Sequence, residues 1–540
     1  MLLLLALVPL AALPWGVKFW PGQDDANHLA VAHIVEHFDD SDTRYSDFLT
    51  VTVELTPYKL YYFLLDSFSR VVDLVDANRI VVSLVIAGLP LVMLFWLRRI
   101  APERRINVFL VCLLASGWLP FMGFHTYMLS FLIGIAALAL AAGKSGADGM
   151  RQPAGWGALA GASALLFLST ISHPVAPVML GGALFVLEAP GRDLRAWLRL
   201  AIVGTPAALF LVLTMLATPS AGSLASFMPN FPGILPGILS LLGNLIAFDR
   251  LEFLIRLPVL IVLLWGAIRA VRRFGVRGQG RDQCLARVFL VFAVLYFLLP
   301  NFPALGFIPD RFGFFALMVA ALLPPPLRIV RRPGLFCSAA AIAGLALAAV
   351  QYRAAGKLSD KVADVVSAGQ VLPRGATVLP LIFEQPPEGA RVSSLLHSWG
   401  YLVLEKDIIT PYLFANSSGV SIAGGNWRPV SYAEPFGPEF LPYIQEFLPV
   451  TWRRSEGFIT EAGRGLMEKL MLETMAGYER VILISPPEEF LEKALQTMES
   501  ENRVGDVWVL KPAGDGPVTD APGSDPSPTP GEAPRTAPPR

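Results

Sequence analysis

Two adjacent carboxylates, Asp24 and Asp25, are the side chains of this sequence best suited to chemistry. They follow the first apolar segment, in residues 21–28 (PGQDDANH), a run that ends in a third polar candidate, His28. A carboxylate at this position can act as a general base, because it takes a proton from a reacting group within hydrogen-bond reach. It can equally cap the helix that follows, where backbone N–H groups lack partners and the helix dipole is positive. The residues alone leave both interpretations open.

Residues 25–38 predict an amphipathic helix directly after these carboxylates. Apolar positions recur at the spacing i, i+3, i+4 and i+7, and polar positions lie opposite: Val31, Ile34, Val35 and Phe38 against Asp25, His33, Glu36 and His37. Such a helix is expected in the membrane interface, with its apolar stripe toward lipid or the helix bundle. Asp25 lies on the polar face and is the preferred base, whereas Asp24, nearer the stripe, is the preferred cap.

Three further side chains are candidates for the same site: Arg311, His125 and His173. Arg311 begins an apolar segment, and its planar guanidinium suits phosphate because it donates parallel hydrogen bonds. The alternative is that it pairs with Asp310 or reaches lipid headgroups. His125 and His173 fall at turns between apolar segments, where polar side chains tend to face a cavity. His173 is therefore a candidate for binding a phosphate or sugar oxygen, and a hydrated loop histidine is the alternative.

The sequence assigns no cofactor, and a divalent metal ion is the one candidate. His33 and His37 stand four residues apart and could ligate a metal with Asp25 or Glu36, although this spacing is common on solvated helix faces. The sequence contains no nucleotide-binding fingerprint and no Cys/His cluster at usable spacing. No disulfide framework or Cys-based zinc site is expected from the three cysteines, Cys112, Cys284 and Cys337.

The composition predicts that these candidates sit at a membrane. Of 540 residues, 54% are hydrophobic and 16% are charged, whereas about 25% charged residues are typical of soluble proteins. The excess apolar surface requires contact with a lipid bilayer. Lys plus Arg and Asp plus Glu both number 43, so the overall charge argues against a nucleic-acid partner.

The apolar segments predict an α-helical polytopic membrane protein with about eleven transmembrane helices of about 20 residues each. The spans centre near residues 2–19, 80–97, 106–123, 126–143, 155–172, 175–189, 200–217, 253–270, 287–301, 312–327 and 334–351. Residues 1–17 count as a span because they lack the basic start of a signal peptide. Four prolines end the seventh span and leave a loop with a re-entrant or surface helix: Pro219, Pro229, Pro232 and Pro236.

The positive residues of the short loops predict the orientation. Lys and Arg concentrate in alternate loops, at residues 98–105, 144–151, 192–199, 269–287 and 328–332, and these loops are expected in the cytoplasm. The N-terminus of this inner or plasma membrane protein is then cytoplasmic. The carboxylates, the two turn histidines, Arg311 and the residues after about 352 lie on the opposite side.

The chain divides into three predicted parts. Residues 1–352 form the transmembrane domain with a large external loop at 21–79, and residues 353–512 form a small extracytoplasmic α/β domain. In this second domain, 480–485 and 507–510 read as strands and 486–500 as a helix. Residues 513–540 are rich in Pro, Gly, Ser and Thr and are expected to be disordered, because such a composition cannot build a core.

This layout resembles the GT-C superfamily of membrane glycosyltransferases. The features that match are an acidic residue just outside the first span, an amphipathic helix, many short-looped spans and an external C-terminal α/β domain, together about residues 1–513. The resemblance implies transfer of a sugar from a polyprenyl-phosphate carrier to an acceptor, which could be a glycan, a lipid or a protein. It also implies that Asp24 or Asp25 serves as general base or metal ligand.

Three other functions are compatible with parts of the pattern. A polysaccharide polymerase or ligase would use the same lipid carrier. A transporter would place ionisable residues near mid-bilayer, and the span interiors here are almost free of charge. A scaffold would use the C-terminal domain to bind a partner, but it gives no reason for the carboxylates, the histidines and Arg311 to share one side of the membrane.

Overall fold

A computed structural model describes residues 1–51, 57–146, 151–188, 193–217, 234–278, 280–300, 307–325, 332–383, 390–413, 420–422 and 461–514. The described chain is mostly helical. Its α-helices are α1 Leu2–Ala11, α2 Asp25–Glu36, α3 Tyr45–Phe48, α4 Lys59–Ser69, α5 Leu74–Ile100, α6 Val108–Ala115, α7 Trp118–Phe121, α8 His125–Ala141, α9 Trp156–Ser172, α10 Val175–Glu188, α11 Leu194–Ala217, α12 Ile234–Gly243, α13 Leu251–Phe274, α14 Arg281–Leu298, α15 Ile308–Leu322, α16 Pro333–Ala368, α17 Gly400–Lys406, α18 Glu461–Met475 and α19 Glu488–Ala494.

The strands are short and fall into three small sheets. They are β1 Leu49–Val51, β2 Lys144–Ser145, β3 Arg151–Gln152, β4 Val378–Ile382, β5 Val420–Ile422, β6 Arg480–Ile484, β7 Met498–Val504 and β8 Val507–Pro512. β1 pairs with β5, β2 pairs with β3, and the remaining four strands form one sheet in the order β4-β6-β8-β7. Of the tail predicted to be disordered, 513–540, residues 515–540 lie outside the described residues, as do Pro219, Pro229 and Pro232 of the predicted break; Pro236 lies within helix α12.

Apolar helices form the bundle, and among the described residues four are long and apolar enough to cross a membrane. These four are Leu74–Ile100, Leu194–Thr214, Leu251–Phe274 and Pro333–Val371. Further apolar helices of 10–17 residues lie beside them. The predicted span at 106–123 is not one helix, because α6 ends at Ala115 and the four-residue α7 follows after Gly117, whose extended backbone interrupts the helix. The number of spans therefore stays a prediction.

Helix α16 links the bundle to the C-terminal domain. Its 36 residues extend roughly 54 Å, well beyond a hydrocarbon core of about 30 Å. Leu347 and Leu358 pack in the core of the bundle, whereas Val362 and Val365 pack in the core of the C-terminal domain. The predicted boundary at residue 352 lies within this continuous helix. A shared helix fixes the C-terminal domain against one end of the bundle, which we call the docking end.

The C-terminal domain is built on the four-stranded sheet. β4 runs parallel to β6, and β8 pairs antiparallel with both β6 and β7. The predicted helix at 486–500 is too long, because α19 ends at Ala494 and residues 498–504 form β7. A two-residue turn at Gly505 and Asp506 causes this difference, since Gly505 has φ +55° and joins β7 to β8 as a hairpin.

Helix α2 lies between the bundle and the C-terminal domain. Val31 and Ile34 of its apolar stripe are fully buried in the core of the C-terminal domain, and Phe38 packs against that core. The stripe was expected to face lipid or the bundle. Val31 and Ile34 face the C-terminal domain instead, whereas Val35 of the same stripe is 45% exposed. Asp25, at the N-terminal end of α2, points into the bundle, where it contacts Asn78 and His125.

Candidate active site

Asp25 is buried where α2 meets the bundle. Its Oδ1 atom accepts hydrogen bonds from Asn78 Nδ2 at 2.8 Å and from His125 Nε2 at 2.7 Å. Tyr61 OH donates to Asn78 Oδ1 at 2.8 Å, and the Tyr61 ring stacks on His125 with centroids 5.4 Å apart. Asp25 Oδ2 is buried and has no hydrogen-bond partner in the part of the chain that the structure describes. One carboxylate oxygen is thus held by two donors, and the other is left to accept a proton or a hydrogen bond.

Asp24 occupies the position before α2 but does not cap it. Its side chain accepts no hydrogen bond from the backbone of the helix, so the predicted cap is wrong. The backbone N–H of Asp24 donates to Met122 O at 3.2 Å. Gly123 permits this approach, because it has φ +85° and an added Cβ would lie 2.7 Å from Asp24 Cβ. Fixed in this way, Asp24 Oδ1 lies 3.3 Å from Gln23 Nε2 and 3.4 Å from His397 Nε2.

His125 and His28 surround the two carboxylates. His125 is the first residue of α8 and is fully buried, and its Nδ1 atom has no hydrogen-bond partner. His28 Nδ1 lies 2.7 Å from Tyr62 OH, and the His28 ring lies 6.3 Å from the His125 ring. Burial, followed by the neighbouring His125, lowers the pKa of His28 to about 4. His28 is therefore neutral at pH 7 and can both donate and accept a hydrogen bond.

Arg311 is a buried cation near this cluster. Its guanidinium lies over the rings of Phe124 and Tyr127, with centroid distances of 5.1 and 4.7 Å. Only 5% of the residue is exposed, and its Nε and Nη1 atoms have no hydrogen-bond partner among the described residues. Asp310 does not pair with it but accepts from Ser240 and Asn244, at 2.8 and 2.6 Å. Pairing with Asp310 and reaching to headgroups are both inconsistent with this geometry.

His173 lies on the other side of Tyr127. It is 5% exposed, and its Nδ1 atom accepts from Val175 N at 3.1 Å. Its ring meets Tyr127 and Tyr58 edge to face, with centroids 5.4 and 4.9 Å away. Burial lowers the pKa of His173, and the positive charge of Arg311 lowers it further. His173 is therefore a buried neutral imidazole and not a hydrated loop histidine.

One short segment, residues 124–127, joins the two halves of the cluster. His125 contacts Asp25, while Phe124 and Tyr127 contact Arg311. These contacts link six side chains singled out in the sequence: Asp24, Asp25, His28, His125, His173 and Arg311. We call this group the carboxylate–arginine cluster. A carboxylate that can accept a proton and a cation with unused donors occupy the same buried region.

Several members of the surroundings escaped the sequence analysis: Asn78, Tyr61, Tyr127 and His397. Asn78 was detectable, since it is an amide that lies between Asp76 and Arg79, just before the apolar part of a helix of 27 residues begins. His397 had no comparable signal, because it lies in the C-terminal domain among ordinary loop residues.

The other two histidines of α2 do not join this cluster. His33 Nε2 lies 2.8 Å from Asp407 Oδ1, and His37 Nδ1 lies 2.7 Å from Asp40 Oδ2. No group of three His, Cys, Asp or Glu side chains in the described part of the chain is arranged to hold a metal ion. The proposed ligation of a metal by these histidines with Asp25 or Glu36 therefore does not fit, and no step is assigned to a metal.

The fold is similar to that of a known membrane enzyme. The crystal structure of ArnT from Cupriavidus metallidurans bound to undecaprenyl phosphate matches 94% of this chain and 97% of its own, with a TM-score of 0.53 and 13% identity. The apo structure of the same protein matches 94% and 96%, with a TM-score of 0.51 and 13% identity. No protein-family model matches the sequence. A comparison with curated proteins finds no match either.

At 13% identity, these similarities show the fold alone. The GT-C-like fold expected from the layout of the sequence is confirmed. Together with the apolar helices, it makes the chain an integral membrane protein.

Proposed function

We propose that this protein is a membrane glycosyltransferase that moves a sugar from a polyprenyl-phosphate carrier to an acceptor. The proposal depends mainly on the buried Arg311, which has two nitrogen atoms without a hydrogen-bond partner among the described residues. One short segment, residues 124–127, connects Arg311 to the buried Asp25–His125 pair. Such a reaction needs a cation for the departing phosphate and a base for the acceptor hydroxyl. The similarity of the fold to a structure that binds undecaprenyl phosphate supports a lipid carrier of this class.

Arg311 holds the phosphate in this proposal. Negative charge accumulates on the phosphate as its bond to the sugar breaks, and a fixed cation that faces this charge lowers the barrier. The interaction is stronger in a buried site than in water because the effective dielectric constant is lower. The rings of Phe124 and Tyr127 keep the guanidinium in place, so little reorganisation is needed during the reaction.

Asp25 acts as the base. The acceptor oxygen forms a bond to the anomeric carbon, and the bond between that carbon and the phosphate oxygen breaks. The electron pair of the broken bond stays on the phosphate, and the hydroxyl proton moves to Asp25 Oδ2. Asn78 and His125 hold the other oxygen and so orient the carboxylate. Asp24, which retains 7% exposure, hydrogen-bonds the acceptor as it enters.

The predicted topology is part of this proposal. We infer about eleven spans, a cytoplasmic N-terminus and the residues after about 352 on the outer face, because Lys and Arg concentrate in alternate short loops. The cluster then faces the side of the envelope where an acceptor is exposed. Reporter fusions after residue 352 test the orientation. If the reporter is of a kind that is active only in the cytoplasm and it is active at this position, the predicted orientation is reversed.

Transfer assays in proteoliposomes test the activity. The purified protein is mixed with undecaprenyl phosphate that carries different single sugars and with extracted envelope acceptors, and released undecaprenyl phosphate is measured. Arg311→Ala should reduce release by about a hundredfold or more, the usual effect of losing a transition-state donor. Arg353→Ala is the matched control, since Arg353 is exposed. The proposal is refuted if folded wild-type protein releases no lipid phosphate from any such donor.

A further inference from the structure

One segment of the C-terminal domain, residues 391–401, contacts the carboxylate–arginine cluster. The backbone N–H groups of Arg391 and Val392 both donate to Ala247 O, at 2.9 and 3.2 Å. Ser393 N then donates to Gln23 Oε1 at 3.2 Å, next to the two carboxylates. The start of this segment is thereby attached both to a loop of the bundle and to the loop that carries the candidate base.

The end of the segment is attached to α2 and to the chain before it. Tyr401 OH donates to Trp20 O at 3.1 Å. Gly400 lies so close to α2 that an added Cβ would meet Ala26 O at 2.1 Å. Side chains between these two attachments have little freedom to move. His397 is one of them, and it is 3% exposed.

The hydrogen bonds around His397 indicate which of its nitrogen atoms carries the proton. Asn27 Nδ2 donates to Tyr412 O at 2.9 Å, so the amide group faces that carbonyl with its nitrogen. The same nitrogen lies 3.4 Å from His397 Nδ1, which makes Nδ1 the acceptor. A proton is then carried by Nε2. This atom lies 3.4 Å from Asp24 Oδ1, the oxygen that also faces Gln23 Nε2.

We propose that His397 is a positioning residue for Asp24, through which the C-terminal domain completes the active site. Its Nε2–H group turns the carboxylate so that Asp24 meets the entering acceptor. The separation of 3.4 Å is that of an ion-pair contact, and the attraction between the ring nitrogen and the carboxylate is stronger than it would be at the surface, because both groups are largely shielded from water. The inference deepens the proposed glycosyl transfer and depends on it for the role of Asp24.

Two substitutions of nearly equal chemistry separate positioning from packing. His397→Gln places an amide nitrogen near the position of Nε2 and an oxygen that can accept from Asn27. His397→Asn keeps an amide but is too short to reach Asp24. We expect His397→Asn to reduce kcat by about tenfold, because Asp24 loses the contact that positions it, without changing KM for the lipid donor. His397→Gln should restore most of the rate.

Tyr401→Phe is the matched control for docking of the segment. It removes one hydrogen bond between the same segment and Trp20 and leaves the carboxylates untouched, so kcat should stay within about twofold of wild type. Equal rates for His397→Asn and wild type would overturn the inference. Equal losses for His397→Asn and His397→Gln would also overturn it, because the reach to Asp24 would then be irrelevant.

A double-mutant cycle of thermal unfolding tests the contact between His397 and Asp24 without a measurement of sugar transfer. His397→Asn and Asp24→Asn are measured singly and together. Because the two side chains form one contact, we expect the combined loss of melting temperature to differ from the sum of the single losses. Additive losses would refute the contact. If wild-type protein consumes no lipid donor, the proposed function fails while this cycle still reports on the His397–Asp24 pair.

Discussion

Asp25→Asn is the sharpest test of the proposed base. Asparagine keeps the shape of the side chain and an Oδ1 atom that accepts from Asn78 and His125, but it cannot take a proton. We expect kcat to fall by about a hundredfold or more, which corresponds to roughly 2.7 kcal/mol of the barrier. Binding of the lipid donor should change little, because Arg311 is untouched.

The cost of this substitution to folding can be worked out from the same contacts. Two hydrogen bonds to a charged carboxylate become bonds to a neutral amide, and each loses about 1 kcal/mol. A total near 2 kcal/mol should lower the melting temperature without preventing folding. Asp25→Ala is less informative, since it leaves the Asn78 amide and the His125 N–H group buried without an acceptor. That loss costs about 1–3 kcal/mol for each donor.

The assay compares Asp25→Asn with a second Asp→Asn variant in the same proteoliposomes. Asp73 is exposed and caps α5 by accepting from Asp76 N at 2.8 Å, and asparagine caps helices equally well. Asp73→Asn should therefore match wild type in both rate and melting temperature. If Asp25→Asn is folded and transfers sugar at the wild-type rate, Asp25 is not the base and its burial has only a structural meaning.

The remaining predictions concern stability. Asp73→Ala should cost the about 1 kcal/mol of a lost helix cap, whereas Asp24→Ala should cost more, because it removes the carboxylate that the buried His397 and the Gln23 amide face; a smaller loss for Asp24→Ala in thermal unfolding would contradict the observed side-chain positions. The pKa of His28 is about 4 in the folded protein and 6.5 in the unfolded chain, so the folded protein binds fewer protons between these two pH values. Its stability should therefore fall as the pH falls through this window, and the fall should be smaller in His28→Gln. Glu252→Gln should cost about 3–5 kcal/mol of folding free energy, because it leaves the charge of the buried Arg256 unpaired. Asp66→Asn, in the exposed pair with Arg70, should cost less than about 1 kcal/mol.

The proximity of the main candidates could be predicted from the sequence. His125, His173 and Arg311 each stand where an apolar segment begins or ends, and the distribution of Lys and Arg assigns all three to the same side as Asp25. Hydropathy and charge suffice for such a prediction because they depend on lipid and water and not on specific neighbours. The unpartnered nitrogen atoms of Arg311 could not be predicted, since they depend on where Asp310 turns.

Local rules failed where a tertiary contact offered more than the local one. Asp24 has the residue type and position of a cap, yet its backbone bonds to the turn at Met122 and its side chain meets His397. The second half of the helix expected at 486–500 forms part of a hairpin instead, because β8 supplies backbone partners for residues 498–504. The partners of Asp24 are distant in sequence, whereas the partner of residues 498–504 is the adjacent strand β8, which pairs with β6 on its other side.

The orientation of α2 connects these outcomes to the proposed chemistry. A helix has one apolar stripe, and whichever surface buries it decides what the opposite face meets. Val31 and Ile34 are buried in the C-terminal domain, and Asp25, at the start of the same helix, enters the bundle and contacts Asn78 and His125. The C-terminal domain therefore contributes to the site twice, by turning α2 and by supplying His397, and its removal should abolish transfer even though the candidate base lies outside it.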